Sequence, residues 1–154
     1  MATPSIAPEV VEVRRTFTAP REKVFQAWID PKMMSKWFAR GTKMPPAKVL
    51  KADVRPGGEY HVQVTCPPND TIYELHGSYK EVRPPERLVF TWWFEALDFR
   101  DSVVTVEFRE LGQSGFTELH LKHELLPESQ RKDHLEGWQD CLQSLEWTLQ
   151  GKEF

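Results

Sequence analysis

The segment 128–150, ESQRKDHLEGWQDCLQSLEWTLQ, decides the fold because its apolar residues recur with the period of a long α-helix. They follow three- and four-residue steps at Leu135, Trp138, Leu142, Leu145 and Leu149. The opposite side carries Glu136, Gln139, Gln143, Glu146 and Gln150. At about 1.5 Å per residue, such a helix is roughly 33 Å long, which is enough to cross a whole sheet. The pattern therefore predicts a long C-terminal helix that buries one face.

The preceding part of the chain, residues 41–126, has the period of β-strands. Clusters of turn-forming residues interrupt it at 45–46, 55–58, 67–70, 84–86 and 112–115. Between these turns apolar and polar residues alternate, as at Tyr60, Val62 and Val64, which indicates strands with one packed and one solvated face. The stretch from Leu88 to Phe94 is apolar on both faces, so we expect it to be the most covered strand. This part of the sequence predicts an antiparallel meander.

The N-terminal part adds one strand and two short helices. Residues 9–18 are rich in valine and predict a first strand. Pro20 suits the first turn of a helix, and Asp30 followed by Pro31 ends that helix and caps a second one. An antiparallel sheet with its helices gathered on one face is the economical packing for this order, so we predict an α+β fold. We further predict a flexible tail over residues 1–8 and a single domain over residues 9–154.

Composition and charge exclude several classes of protein. The 154-residue chain carries 20 Lys and Arg against 23 Asp and Glu, without a run of more than two basic residues, which argues against a nucleic-acid binder. The most apolar stretch, Leu88 to Phe94, is too short to span a membrane, and the N-terminus lacks the apolar stretch of a secretory signal. Two cysteines, Cys66 and Cys141, do not form a disulfide framework. We therefore predict a cytoplasmic protein.

Several short motifs resemble one known family. They are Ala19-Pro20 with Val24-Phe25 and Ala27, Asp30-Pro31 with Trp37-Phe38, the first hairpin at 55–58, the central hairpin from 77–79 through 84–88, and Gly137-Trp138 with Leu142, Leu145 and Glu146. In this order they resemble the START-like (SRPBCC) superfamily, in the branch named for the activator of the heat-shock-protein-90 ATPase. The resemblance implies a helix-grip fold, in which a curved seven-stranded antiparallel sheet surrounds the long C-terminal helix and leaves a cavity between them.

A set of large side chains is predicted to line that cavity. The candidates are Trp28, Trp37, Phe38, Phe90, Trp92, Phe94, Phe99, His123, Trp138 and Cys141. Aromatic residues also dominate ordinary cores, so plain packing is the alternative for each of them. His123 alternates in phase with Leu119 and Leu121 and is therefore expected to point inward.

The sequence does not assign a catalytic residue, a cofactor or a metal site. His61 and His120 are expected to face solvent, and His134 is placed on the polar side of the long helix. His120 and His123 lie on opposite strand faces, so they cannot share a metal ion. The GxSxG, P-loop and GxGxxG patterns do not occur.

The sequence leaves three functions open, because a fold does not determine a function. The leading hypothesis is binding of a small hydrophobic molecule in the cavity. The second is a cofactor-free enzyme of the cyclase, dehydratase or hydrolase type that uses the same cavity. The third is an interaction module that stimulates a chaperone ATPase. The resemblance implies the chaperone as a partner, and the sequence leaves a homodimer open.

Overall fold

The computed structural model describes residues 10–154, so the predicted tail at 1–8 lies outside the described residues. This part of the chain contains seven strands and three α-helices. In chain order they are β1 (Val11–Phe17), α1 (Arg21–Ile29), α2 (Pro31–Trp37), β2 (Lys48–Ala52), β3 (Glu59–Cys66), β4 (Thr71–Arg83), β5 (Arg87–Phe94), β6 (Ser102–Leu111), β7 (Phe116–Glu124) and α3 (Glu128–Leu149). Over residues 10–154, none of the helices is both long enough and apolar enough to cross a bilayer.

The strands form one curved, open antiparallel sheet in the order β1-β7-β6-β5-β4-β3-β2. Strands β2 to β7 follow one another as a meander. The first strand instead pairs with the last one, and this register places Val11 opposite His123. The long helix α3 lies against the concave face of the sheet, together with α1 and α2. The predicted α+β helix-grip fold is therefore confirmed.

Helix α2 begins where the sequence predicts. Asp30 precedes it, and the Oδ1 atom of Asp30 accepts a hydrogen bond from the backbone N–H of Lys32 over 3.0 Å. This bond satisfies one of the amide groups that a helix start leaves without a partner. Helix α2 thereby begins directly after α1; α1 contacts β6 and β7, and α2 contacts β2 and α3.

An aromatic cluster fills the space between these short helices, the sheet and α3. Trp28 and Trp37 meet edge to face with ring centroids 4.5 Å apart. The indole of Trp37 donates to the carbonyl of Ala27 over 2.8 Å, so its buried N–H has a partner. Trp28 also stacks on Trp138 of α3 at 6.1 Å. These contacts form a packed aromatic core between the short helices, the sheet and α3.

A close approach between β4 and β5 depends on Gly77. A Cβ atom at this position would lie 2.0 Å from the carbonyl oxygen of Thr91 and 2.2 Å from the ring of Tyr60. The hydroxyl of Tyr60 donates to the same carbonyl over 2.6 Å. The absent side chain of Gly77 therefore makes the room in which the Tyr60 ring reaches across to β5.

Candidate ligand-binding site

A cavity of about 460 Å³ opens between α3 and the sheet. This volume falls in the range of sites that bind small organic molecules. The walls come from the ends of β3, β4 and β5, from the segment after α2, and from residues 133–141 of α3. The lining residues are Ala39, Gly41, Met44, Val64, Cys66, Tyr73, Trp92, Phe94, Leu97, Asp133, His134, Gly137, Trp138, Asp140 and Cys141.

Helix α3 contributes two parallel rows of residues to this cavity. Each row follows steps of four and three residues, the spacing that keeps side chains on one face of a helix. The inner row is His134, Trp138 and Cys141, and the row nearer to solvent is Asp133, Gly137 and Asp140. The helix therefore presents an apolar wall inside and two carboxylates near the opening.

His134 lies in the inner row, so its predicted position on the polar side of the helix is wrong. Its Nε2 atom accepts a hydrogen bond from the indole of Trp92 over 3.2 Å. Its Nδ1 atom donates to the carbonyl of Gln130 over 2.9 Å. Because Trp92 can only donate, this pattern requires the neutral imidazole. Burial favours the same form and lowers the pKa of His134 below its ordinary value of 6.5.

His123 lies behind the cavity wall and is fully buried, which confirms the predicted inward orientation. The indole of Trp138 donates to its Nδ1 atom over 3.0 Å, so the proton of the neutral ring is on Nε2. That atom donates to the hydroxyl of Ser102 over 2.8 Å, and Ser102 donates to the carbonyl of Trp92 over 2.6 Å. Burial holds the pKa of His123 well below 6.5.

These contacts leave the histidines and thiols of the site with little acid–base chemistry. Both ring nitrogens of His123 and of His134 already have protein partners. Burial raises the pKa of the Cys66 thiol and, more strongly, that of the Cys141 thiol, so both thiols stay protonated at neutral pH. Within residues 10–154, the His, Cys, Asp and Glu side chains do not form a group of three or more that could hold a metal ion.

Eight of the ten residues predicted to line the cavity fall into two groups of four. Those on the cavity wall are Trp92, Phe94, Trp138 and Cys141. The packed aromatic core holds Trp28, Trp37, Phe38 and Phe90. Phe99 packs against the edge of the core near His134, and His123 lies behind the wall. A functional role for any of the ten residues stays a prediction.

Among the lining residues that the sequence did not predict are His134 and Gly137 of α3. The signal that could have found them is the spacing of four and three residues that relates them to Trp138, Cys141 and Asp140. Gly137 lies in mid-helix, where a glycine is normally unfavourable. A Cβ atom added there would not meet another atom within 4 Å, because the position borders open space at the cavity.

One end of the opening is closed by a contact between α3 and the segment after α2. Asp140 accepts two hydrogen bonds from Thr42, one from its backbone N–H at 3.1 Å and one from its hydroxyl at 2.9 Å. The neighbouring Gly41 lets the two elements approach, because a Cβ atom there would lie 2.5 Å from a carboxylate oxygen of Asp140. Asp140 therefore holds residues 41–42 beside the opening.

A family model described as "Activator of Hsp90 ATPase homolog 1-like protein" matches residues 18–150. No curated protein matches the sequence. Among solved structures, protein CV1439 from Chromobacterium violaceum is similar, with 28% identity over 90% of this chain and 96% of that chain and a TM-score of 0.81. Protein Ms6760 from Mycobacterium smegmatis has 22% identity over 95% and 93% of the two chains, with a TM-score of 0.79.

A third structure, DynU16 from the dynemicin biosynthetic locus, has 21% identity and a TM-score of 0.71. The match covers 95% of this chain and 49% of DynU16, so the chain spans about half of that protein. At this identity, the Ms6760 and DynU16 structures support the fold alone.

Proposed function

The chain belongs to the family of activator of Hsp90 ATPase homolog 1-like proteins, and from that premise we propose that it binds one small hydrophobic molecule beneath α3. The observation that carries this proposal is the cavity of about 460 Å³ with its largely apolar wall. Trp92, Phe94 and Trp138 are among the aromatic residues that line it. Burial of apolar surface in such a site is worth about 25 cal/mol per Å² before the ordering costs of binding are subtracted.

The polar groups inside the cavity suit binding better than catalysis. A cofactor-free cyclase or hydrolase needs a base with a free lone pair within reach of the substrate. Here the imidazole of His134 accepts from Trp92, and that of His123 accepts from Trp138. Either histidine would act as a base only after one of these bonds breaks, and the two lining carboxylates, Asp133 and Asp140, lie in the row nearer to solvent. We therefore rank the enzyme hypothesis below binding. We place the protein in the cytoplasm, where the free thiols of Cys66 and Cys141 would remain reduced.

The binding proposal is tested with N-phenyl-1-naphthylamine, an uncharged probe whose emission rises in an apolar site. We expect saturable binding of one molecule per chain. Gly137→Leu should weaken it at least tenfold, because the new side chain grows into the open space beside Gly137. Gln139→Leu adds the same side chain to an exposed position of α3 and should leave the affinity unchanged.

The proposal fails if the probe does not saturate, or if Gly137→Leu and wild type bind it equally while both remain folded. Thermal unfolding of each variant checks the second condition. If the probe does bind, mass spectrometry of small molecules that copurify with the native protein would identify the natural ligand.

The family match favours a second candidate, stimulation of a chaperone ATPase. Such a module would contact the chaperone through its outer surface rather than through the cavity. ATP turnover by a purified Hsp90-type chaperone, measured with and without this protein, tests the candidate. Stimulation that Gly137→Leu retains would assign the activity to the outer surface.

A further inference from the structure

The charged groups that line the cavity are all of one sign. Two carboxylates, Asp133 and Asp140, belong to its lining, and in residues 10–154 the lining does not include Lys or Arg. We propose that the ligand is an amphiphilic cation, an aromatic or aliphatic body that ends in a protonated amine. This inference rests on the proposed function, because it names the ligand class for the same cavity.

The basic side chains nearest in sequence to the lining have other partners or are not part of it. Arg40 precedes Gly41, but its guanidinium donates to the carbonyls of Lys36, Met44 and Phe154. Arg131 precedes Asp133 by two residues, and its Nε donates to the carbonyl of Leu126. The exposed Lys43 and Lys132 are not among the lining residues.

The histidine on the wall does not supply a positive charge either. His134 donates from Nδ1 to Gln130 and accepts at Nε2 from Trp92, so a proton cannot be added without breaking the second bond. An anionic ligand, such as a fatty acid, would therefore place its carboxylate beside two like charges without a basic partner. Like charges brought together in this way weaken binding.

Two features of the wall favour a cation. Asp133 and Asp140 lie two turns apart on α3, so an amine near Gly137 would lie between them. Asp140 is held in place by its two hydrogen bonds to Thr42. The aromatic rings of Trp92, Tyr73, Phe94 and Trp138 add to this preference, because ring faces attract cations.

The experiment compares three ligands that share one ring system and differ in charge: 1-naphthylmethylamine, 1-naphthylmethanol and 1-naphthoate. Each is titrated into the protein by calorimetry at pH 7, in 20 mM and in 500 mM NaCl. We expect the amine to bind about tenfold more tightly than the alcohol at low salt, and naphthoate more weakly than either. High salt should reduce the preference for the amine several-fold, because it screens exposed charges.

Variants then assign the preference to the two carboxylates. Asp133→Asn and the double variant with Asp140→Asn should lower the affinity for the amine stepwise and leave the affinity for the alcohol unchanged. Asp133→Asn is the decisive single variant, because Asp140 also bonds Thr42 and its loss could disturb the opening. Glu110→Gln, at an exposed position of β6 outside the lining, is the matched control and should not alter the preference.

Two results would overturn this inference while the proposed function stands. One is naphthoate binding as tightly as the amine. The other is an unchanged preference for the amine in the double variant. If neither these ligands nor N-phenyl-1-naphthylamine binds, the proposed function fails together with this inference, so the two failures are distinguishable.

Discussion

Trp138 of α3 donates a hydrogen bond from its indole Nε1 to Nδ1 of His123 on β7, over 3.0 Å in the buried interior. His123 in turn donates from Nε2 to the hydroxyl of Ser102, and this hydroxyl donates to the carbonyl of Trp92. Trp138 and Trp92 both face the cavity, so this chain of polar contacts ties the helix wall to the sheet wall. The geometry of the cavity therefore depends on a histidine that does not line it.

Acid should destabilise the protein because of this arrangement. The pKa values of His123 and His134 are lowered in the folded state, so below about pH 6.5 the unfolded chain binds more protons than the folded one. The stabilisation that comes from these two histidines is fully present above that pH, and it is lost as the pH falls toward their pKa values in the folded state. Each histidine contributes a slope of at most about 1.4 kcal/mol per pH unit.

Urea midpoints measured at pH 8, 7, 6 and 5 check this prediction. His134→Gln should reduce the slope, because one of the two titrating groups is removed. A midpoint that stays constant from pH 8 to pH 5 would contradict it.

Gly137 should be a position where stability and ligand affinity respond in opposite directions. Gly137→Ala removes the conformational freedom of a mid-helix glycine and has space for its Cβ, so we expect a gain of about 0.5–1 kcal/mol. The methyl group narrows the cavity, so the affinity for an apolar probe should fall. Gly151→Ala provides the contrast: its φ of +73° disfavours a side chain, and stability should drop. Denaturant titration with and without probe measures both effects.

The buried face of α3 can be checked by truncation. Leu142 is fully buried, so Leu142→Ala should cost about 2–5 kcal/mol of unfolding free energy. Gln139 is exposed on the opposite side, and Gln139→Ala should stay within about 0.5 kcal/mol. Equal losses in the two denaturant midpoints would mean that the assigned face is wrong.

Gly77→Ala should be severely destabilising even though alanine normally suits a strand at least as well as glycine. The added Cβ would lie 2.0 Å from the carbonyl oxygen of Thr91, which accepts the hydrogen bond from Tyr60 and belongs to a residue paired with Val103 of β6. This oxygen cannot move away without disturbing those contacts. We expect a loss of more than about 3 kcal/mol or no folded protein. Lys80→Ala, at an exposed position of the same strand, is the control. The melting temperatures of both variants are measured by circular dichroism. An unchanged melting temperature in Gly77→Ala would mean that the added methyl group is tolerated.

The sequence predicts most of the fold because the fold depends on periodicity. The steps from Leu135 to Leu149 identify α3, and the alternation at Tyr60, Val62 and Val64 identifies the inner face of β3. Asp30 before Pro31 locates the boundary between the two short helices. Each of these signals lies in a short stretch of sequence, so it can be recognised without knowing the surface against which the helix or strand packs.

The cavity depends on tertiary contacts, and sequence reasoning therefore found it only in part. Trp28 and Trp92 are the same residue type on inward faces, yet the first fills the core and the second lines the cavity. His134 looks polar on a helical wheel, but the indole of Trp92, 42 residues earlier in the chain, makes its inward position favourable. Such pairings between distant residues cannot be derived from spacing along one helix.

The pairing of β1 with β7 also affects how the protein is made. Val11 leaves the ribosome early, but its partner His123 is synthesised more than a hundred residues later. Strands β2 to β6 can pair with their neighbours as they emerge, because their connections are short. The first strand has to wait for the last one, and the cavity acquires its second wall only when α3 follows. We therefore expect ligand to bind the finished chain and not the nascent one, so that ligand can stabilise folding only after translation of α3.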